Sequence, residues 1–205
     1  MKYCLLIFVF VCLSVAKSYA QYDTTLARQI TEMAKADQWA RHLLDSIRTH
    51  HYSPQKEEIV WDVIYAMDKK HNVHLWEIIN RLQSYPDNIL VGNKAAQDFW
   101  LLAQHQDYDT ALQKEVLKHM KWAVDRQQAP AIPYAFLVDR VRLNTGQKQL
   151  YGTQYWKAAD GKMYIPRPLE DSLNVNARRA TLGMKPIEEE LQQMNERYRN
   201  RLNQK

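Results

Sequence analysis

The stretch Asp23-Thr24-Thr25-Leu26-Ala27-Arg28-Gln29-Ile30-Thr31-Glu32-Met33-Ala34 opens a run to about Thr49 in which Leu26, Ile30, Met33, Ala34, Ala40, Leu43, Leu44 and Ile47 recur at helical spacing. Such a pattern presents one apolar face of a 3.6-residue period, and Asp23 or Thr24 can cap it by accepting from the first free backbone amides. Downstream, Ser53-Pro54 starts a second helix, with proline at a position that needs no amide, and Ile59, Val60, Val63, Ile64 and Met67 face inward. A third, short helix is expected from about Val73 to Leu82, before the turn-forming Tyr85-Pro86-Asp87-Asn88. Asn93 to Gln106 and Thr110 to Gln127 supply a fourth and a fifth. A sixth, Pro133 to Asn144, is apolar almost all round and should be central, with Gly146 ending it.

There the period changes. Gln149 to Trp156, rich in Tyr, Thr and Trp, reads as a strand, Ala159-Asp160-Gly161 as a turn and Lys162 to Ile165 as the partner strand, closed by Pro166 and Pro168. A short helix from Asn174 or Val175 to Leu182 and a charged one from Pro186 to about Leu202 follow. Beyond Met194 the chain is almost entirely polar and is expected to project or fray. The fold class is therefore mainly α: one compact helical domain over residues 21–191 with a single β-hairpin at about 149–166, then a polar helical tail over 192–205. There is no internal repeat or low-complexity tract.

Upstream, Lys2, the apolar run Tyr3 to Leu13 and the small-x-small ending Ser18-Tyr19-Ala20 form a signal peptide, with cleavage expected between Ala20 and Gln21. The apolar run is shorter than the roughly 20 residues of a bilayer-spanning helix, and Lys17 closes it, so the mature chain is expected to carry no transmembrane anchor. Cys12 follows Phe10-Val11 rather than a small residue, which argues against a lipid anchor. The expected address is thus exported, periplasmic or secreted. Cys4 and Cys12 both fall in the removed segment, leaving no thiol for a disulfide, a nucleophile or a soft-metal site. The formal charge of +5 drops to +3 on cleavage, with 26 basic against 23 acidic residues, and argues against a dedicated nucleic-acid partner.

Three places could carry chemistry. Asp139, in Tyr134-Ala135-Phe136-Leu137-Val138-Asp139-Arg140-Val141, has apolar neighbours on every side, and a buried carboxylate must be paired or change its protonation state. It reads either as a structural carboxylate paired with an arginine such as Arg142 or Arg178, or capping a neighbouring helix, or as a pocket acid. Gln104-His105-Gln106-Asp107 follows an apolar helix. Trp100, Gln104 and Asp107 share one face there, and His105 reads either as a general base or metal ligand, or as a helix cap or hydrogen-bonded core histidine; one His-x-Asp does not make a metal site. Gly152, in Gln149-Leu150-Tyr151-Gly152-Thr153-Gln154, marks a bulge or a close approach, with Thr153 and Gln154 beside it. His71 and His74 stand three apart but lack a third ligand in the motif, and His50-His51 closes a helix, so no metal and no cofactor are expected. Nucleophile elbow, zinc-protease, phosphate-loop and dinucleotide motifs are missing.

Asp37-Gln38, Asp68 with Asn72, Val91-Gly92 and Trp100 with Gln104-His105-x-Asp107 form the first half of a further pattern. Asp139-Arg140, Gln149-x-Tyr151-Gly152-Thr153-Gln154, Pro166, Asp171, Val175, Arg178-Arg179 and Gly183 complete it. In this order and spacing, over about residues 31–191, the chain resembles the bacterial domain-of-unknown-function family 6624. It departs at Ser84-Tyr85-Pro86, where that family more often has Gly-Trp-Pro. The resemblance implies no established activity, but it implies that the hallmark residues are mostly polar.

Two functional readings follow. In the first, the chain is an envelope binding or structural module whose polar groups form a buried network and receive a small polar or anionic ligand. In the second, it is a hydrolase-type enzyme with His105 as general acid or base and Asp107 or Asp139 tuning it. Candidate ligand-binding residues are Gln104, Arg140, Tyr151, Gln154 and Arg178. An enzyme requires His105, Asp139 and Gln154 to converge on one open cavity; a module requires them paired and closed. A weaker reading gives the charged last helix, with Arg197, Arg199, Arg201 and Lys205, a membrane or partner.

Overall fold

The structure, a computed structural model, describes residues 22–50 and 52–202. The expected signal peptide with its two cysteines lies outside the described residues, as do His51 and Lys205. The elements are α1 (Thr24–Thr49), α2 (Pro54–Leu82), α3 (Gly92–Gln104), α4 (Thr110–Asp125) and α5 (Ala131–Asn144), then β1 (Tyr155–Lys157), β2 (Tyr164–Pro166), a 3-10 turn (Ser172–Asn174), α6 (Val175–Ala180) and α7 (Ile187–Leu202). The fold is all-α apart from the antiparallel hairpin, whose register pairs Trp156 with Ile165. Among the described residues no helix is long and apolar enough to cross a membrane.

Asp23 caps α1 as its position demands, its Oδ1 accepting from the Leu26 amide at 2.8 Å. The expected second and third helices are one 29-residue helix, α2. Nothing between Met67 and Val73 breaks a helix; Asp68 and His71 sit at inward positions and interrupt only the apolar pattern, not the backbone. Proline starts α2 as expected, but Ser53 makes no side-chain cap bond.

The expected first strand is also corrected. Residues 149–154 form an irregular loop, with Gly152 in the left-handed region at φ +68°, and the strand begins only at Tyr155. The amides of Leu150, Tyr151 and Thr153, which a strand would offer to a neighbour, all point at the carboxylate of Asp139. A Cβ on Gly152 would clash with Ile187 Cδ1, so the glycine allows α7 to approach this loop closely.

The last helix does not project from Met194 as expected. Asn195, buried, accepts from the Tyr164 amide at 2.6 Å and donates to its carbonyl at 3.0 Å, and the Tyr198 hydroxyl donates to Gly161 O. Polar side chains hold α7 against the hairpin, which is why a count of apolar positions misses the docking.

Among the described residues most of the buried apolar side chains form two clusters. The larger joins Leu26, Ile30 and Ala34 of α1 to Leu75, Ile78 and Ile79 of α2, with Phe99 and Leu102 of α3, Met120 of α4 and Leu137 of α5. Tyr85, in the loop before α3, is buried against Phe99 and donates to Ala96 O. The smaller cluster contains Ala40, Leu44 and Ile47 of α1 and Val60 and Ile64 of α2. On both helices the residues between the two clusters are polar and buried: Asp37 on α1, Asp68 and His71 on α2.

The junction of α2 with α4 is set by one carboxylate. Asp109 caps α4 through the Leu112 amide and accepts from Asn72 Nδ2 and Trp76 Nε1, each at 3.0 Å. Burial works to raise its pKa, but these donors outweigh it and hold the carboxyl below its ordinary 3.8. A depressed carboxylate contributes stability above its unfolded pKa and loses it as the pH falls through the folded one. Asp109→Ala should therefore cost about 1–2 kcal/mol in urea denaturation at pH 7. The gap from the wild type should close as the pH is lowered below the ordinary carboxylate range.

Candidate functional site

Asp37 continues the inward spacing of Ile30 and Ala34 on α1, so the helix drives a carboxylate into the interior, where it is 0% exposed. A charge in that place must be compensated locally. Arg41, one turn on, donates through Nε to Oδ1 at 2.8 Å, and Gln38 Nε2 donates to Oδ2 at 2.8 Å. His105, the C-terminal cap of α3, brings Nδ1 to 3.1 Å from both oxygens. Arg41 then reaches across to α2, where Nη2 donates to both oxygens of Asp68 at 2.8 and 3.0 Å. One carboxylate and one guanidinium thus tie three helices together at the boundary between the two apolar clusters.

His71 lies one turn after Asp68 and faces the same layer. It is only 5% exposed, and its Nδ1 is buried without a hydrogen-bond partner among the described residues. One ligand-type atom from each of Asp37, Asp68 and His71 lies within 4.8 Å of the others. Burial pushes the His71 imidazole below its ordinary 6.5, against the pull of Asp37, so the ring is mainly neutral at pH 7.

The two carboxylates differ. Burial works to raise Asp37, but the His105 contact, Arg41 and Gln38 outweigh it, and its carboxyl lies below the ordinary range. Burial raises Asp68, and Arg41 opposes it without cancelling it while Asp37 adds repulsion. Two carboxylates sharing one guanidinium leave the layer favouring cations over anions.

A second network lies around the loop 149–154. Asp139, 0% exposed, accepts from the Leu150 amide at 2.6 Å, the Tyr151 amide at 3.0 Å, and the Thr153 amide and hydroxyl at 3.0 Å each. Its partners are backbone amides and a hydroxyl, not Arg142 or Arg178: a short loop offers donors already fixed in direction, which a long side chain does not. Arg142 donates to Lys148 O and pairs with Glu170, while Arg178 donates to the carbonyls of Leu150 and Asp171. Arg179, fully buried, donates to the carbonyls of Tyr151 and Lys185 and pairs with Glu190. Gln154 donates to Thr153 Oγ1, and its backbone is held by the buried Gln149 side chain.

Asp107 belongs to a third group. It pairs in bidentate fashion with Arg140, at 2.7 and 2.6 Å, and accepts from Asn144 Nδ2 at 2.7 Å, fastening the α3–α4 turn to α5. Gln104 contributes its carbonyl, which accepts from Gln113 Nε2 at 3.2 Å.

Among the described residues no hydrogen bond or ion pair joins His105, Asp107, Asp139 and Gln154 to one another. Asp139, Arg140, Gln154 and Arg178 have side-chain partners, Tyr151 is held through its backbone, and the carboxylate that meets His105 is Asp37. A cleft of about 340 Å³ elsewhere, lined in part by Tyr85, Lys118, His119, Trp122 and Arg126, has none of these residues in its wall. Sequence reasoning overlooked Arg41 and undervalued His71. The available signal was a set of charged or imidazole residues at inward helical positions, which marks buried polar groups. His74, exposed and 3.1 Å from Glu77, turns away from His71, and exposed His50 caps α1 through Ser46 O.

The family model described as "Family of unknown function (DUF6624)" matches residues 23–203. No match is found among curated proteins or among solved structures.

Asp139→Asn places an amide N–H₂ against buried backbone donors and leaves at least one of them unsatisfied. It should cost about 2–3 kcal/mol in urea denaturation, and hydrogen exchange at Leu150, Tyr151 and Thr153 should accelerate while exchange within α1 and α2 stays slow.

Proposed function

We propose that the chain, which belongs to the DUF6624 family, works as an exported binding module of the bacterial cell envelope, with its ligand site in the polar layer between α1, α2 and α3. Support for export is the N-terminal pattern of Lys2, the apolar run and Ser18-Tyr19-Ala20. The observation that carries the site is His71: a buried imidazole with an unpaired nitrogen beside two carboxylates. An unsatisfied buried polar group costs about 1–3 kcal/mol, a cost that an apolar side chain of similar size would avoid. The Asp139 carboxylate itself is fully paired, by three backbone amides and a hydroxyl, so it reads as a fastening for the hairpin loop.

Charge narrows the ligand. Arg41 is the layer's cation and is already committed to Asp37 and Asp68, so the anionic class weighed from the sequence is disfavoured. A small cationic or neutral hydrogen-bonding ligand fits the surplus of negative charge.

One observation favours a second, hydrolytic reading. A buried Asp37 on His105 Nδ1 fixes the tautomer that leaves Nε2 with a lone pair, the arrangement a general base needs. In that reading Asp37 takes the tuning role given from the sequence to Asp107 or Asp139.

The test is a thermal-shift screen of metal ions, organic cations, amino sugars and polyols against the wild type and His71→Leu. A ligand at 100 times its Kd adds about 2.7 kcal/mol. The variant should be at least as stable as the wild type and should lose the ligand response. A variant that melts earlier, with no response in either protein, would make the layer structural and end the binding reading.

A further inference from the structure

We propose that Asp37, Asp68 and His71 are a site for a divalent first-row metal ion of the zinc and manganese type, with Arg41 as the internal cation that competes for the same carboxylates. This rests on the binding reading above and names its ligand.

The donor set is two carboxylates and one imidazole, drawn from two rigid helices, with Asp68 and His71 one turn apart and Asp37 facing them. Mixed oxygen and imidazole donors suit zinc and manganese, whereas calcium and magnesium prefer all-oxygen shells. The three donor atoms lie within 4.8 Å of one another. Donors on a tetrahedral zinc at about 2.1 Å lie roughly 3.4 Å apart. Closing that difference falls to the three side chains, since α1 and α2 already pack against each other.

His71 supplies the observation that an acidic cluster lacks by itself. It is 95% buried, taking its 5% exposure from the whole, and one of its ring nitrogens lies within reach of both carboxylates, while Nδ1 has no partner. Neutral imidazole is the protonation state a metal requires. Asp37 is also held as ligating carboxylates usually are, with Gln38 and His105 bonded to it from outside the donor set. Both would orient the carboxylate without coordinating.

Arg41 makes the proposal specific. Its guanidinium joins Asp37 to Asp68, doing with one positive charge what a divalent ion would do with two. Its side chain is 23% exposed, so it has a way out to solvent when a stronger cation binds. The sequence alone could not show this set, because the third donor and the competing cation both come from α1.

Calorimetry and thermal melting of tag-free protein with Zn²⁺, Mn²⁺, Ca²⁺ and Mg²⁺ test the assignment, using the wild type, His71→Leu and Arg41→Gln. Zn²⁺ or Mn²⁺ should bind one per chain and raise the melting temperature, with Ca²⁺ and Mg²⁺ ineffective. His71→Leu should abolish the response, and Arg41→Gln should tighten binding about tenfold or more. If Arg41→Gln does not fold alone, because two buried carboxylates lose their counter-charge, Zn²⁺ or Mn²⁺ should restore its circular dichroism. Metal binding that persists in His71→Leu overturns the site, and so does a folded Arg41→Gln that ignores every metal. If metals fail while an organic cation or polyol stabilises the wild type in a His71-dependent way, the metal assignment falls and the binding reading stands.

Discussion

A carboxylate buried in the middle of a long helix must be compensated where it lies, and in this protein that requirement falls on Asp37. Arg41 and Gln38 are available from the same helix, but the third partner, His105, is the residue at which α3 ends. The Asp37 bonds therefore fix where α3 stops along α1, and Arg41 fixes the register of α2 by holding Asp68. Removing one member of such a buried group leaves the others uncompensated and typically costs 3–5 kcal/mol, so the layer specifies the packing of the three helices more than it strengthens it.

The polar layer also divides the core. Ala34 and Leu75 belong to the large cluster, Ala40 and Ile64 to the small one, and Asp37, Asp68 and His71 lie between them on the same helix faces. α3 packs against the first part of α1 and ends at the layer, so beyond it α1 and α2 continue as a two-helix arm with its own small core. A polar group at such a boundary lies close to solvent without being exposed to it, as the intermediate burial of Arg41 and His105 shows.

Much of the fold was legible because it is written in local signals. Asp23, Pro54 and Gly146 mark helix ends by mechanisms that act within a few residues, and the hairpin turn at Ala158 to Gly161 does the same. The errors have one cause. At Asp68 and His71, and again at Asn195 and Tyr198, polar residues do packing that an apolar pattern does not report, so the pattern splits α2 in two and leaves α7 projecting. The loop 149–154 reads as a strand because its composition is strand-like, but its amides serve Asp139, a partner that local sequence cannot reveal. In the same way His105 was recognised as chemically interesting while its carboxylate was not, since Asp37 and His105 are brought together only by the packing of α1 on α3.

The central interaction is the bond between Asp37 and His105. Nitrogen-15 NMR of the imidazoles at neutral pH, in the wild type and in Asp37→Asn, tests it most directly. His105 should carry its proton on Nδ1, and the nitrogen shifts of His105 and His71 should both change in the variant while those of His119, which pairs with Glu115 on α4, stay in place. A His105 ring protonated only on Nε2, or one indifferent to Asp37→Asn in a folded protein, would contradict it.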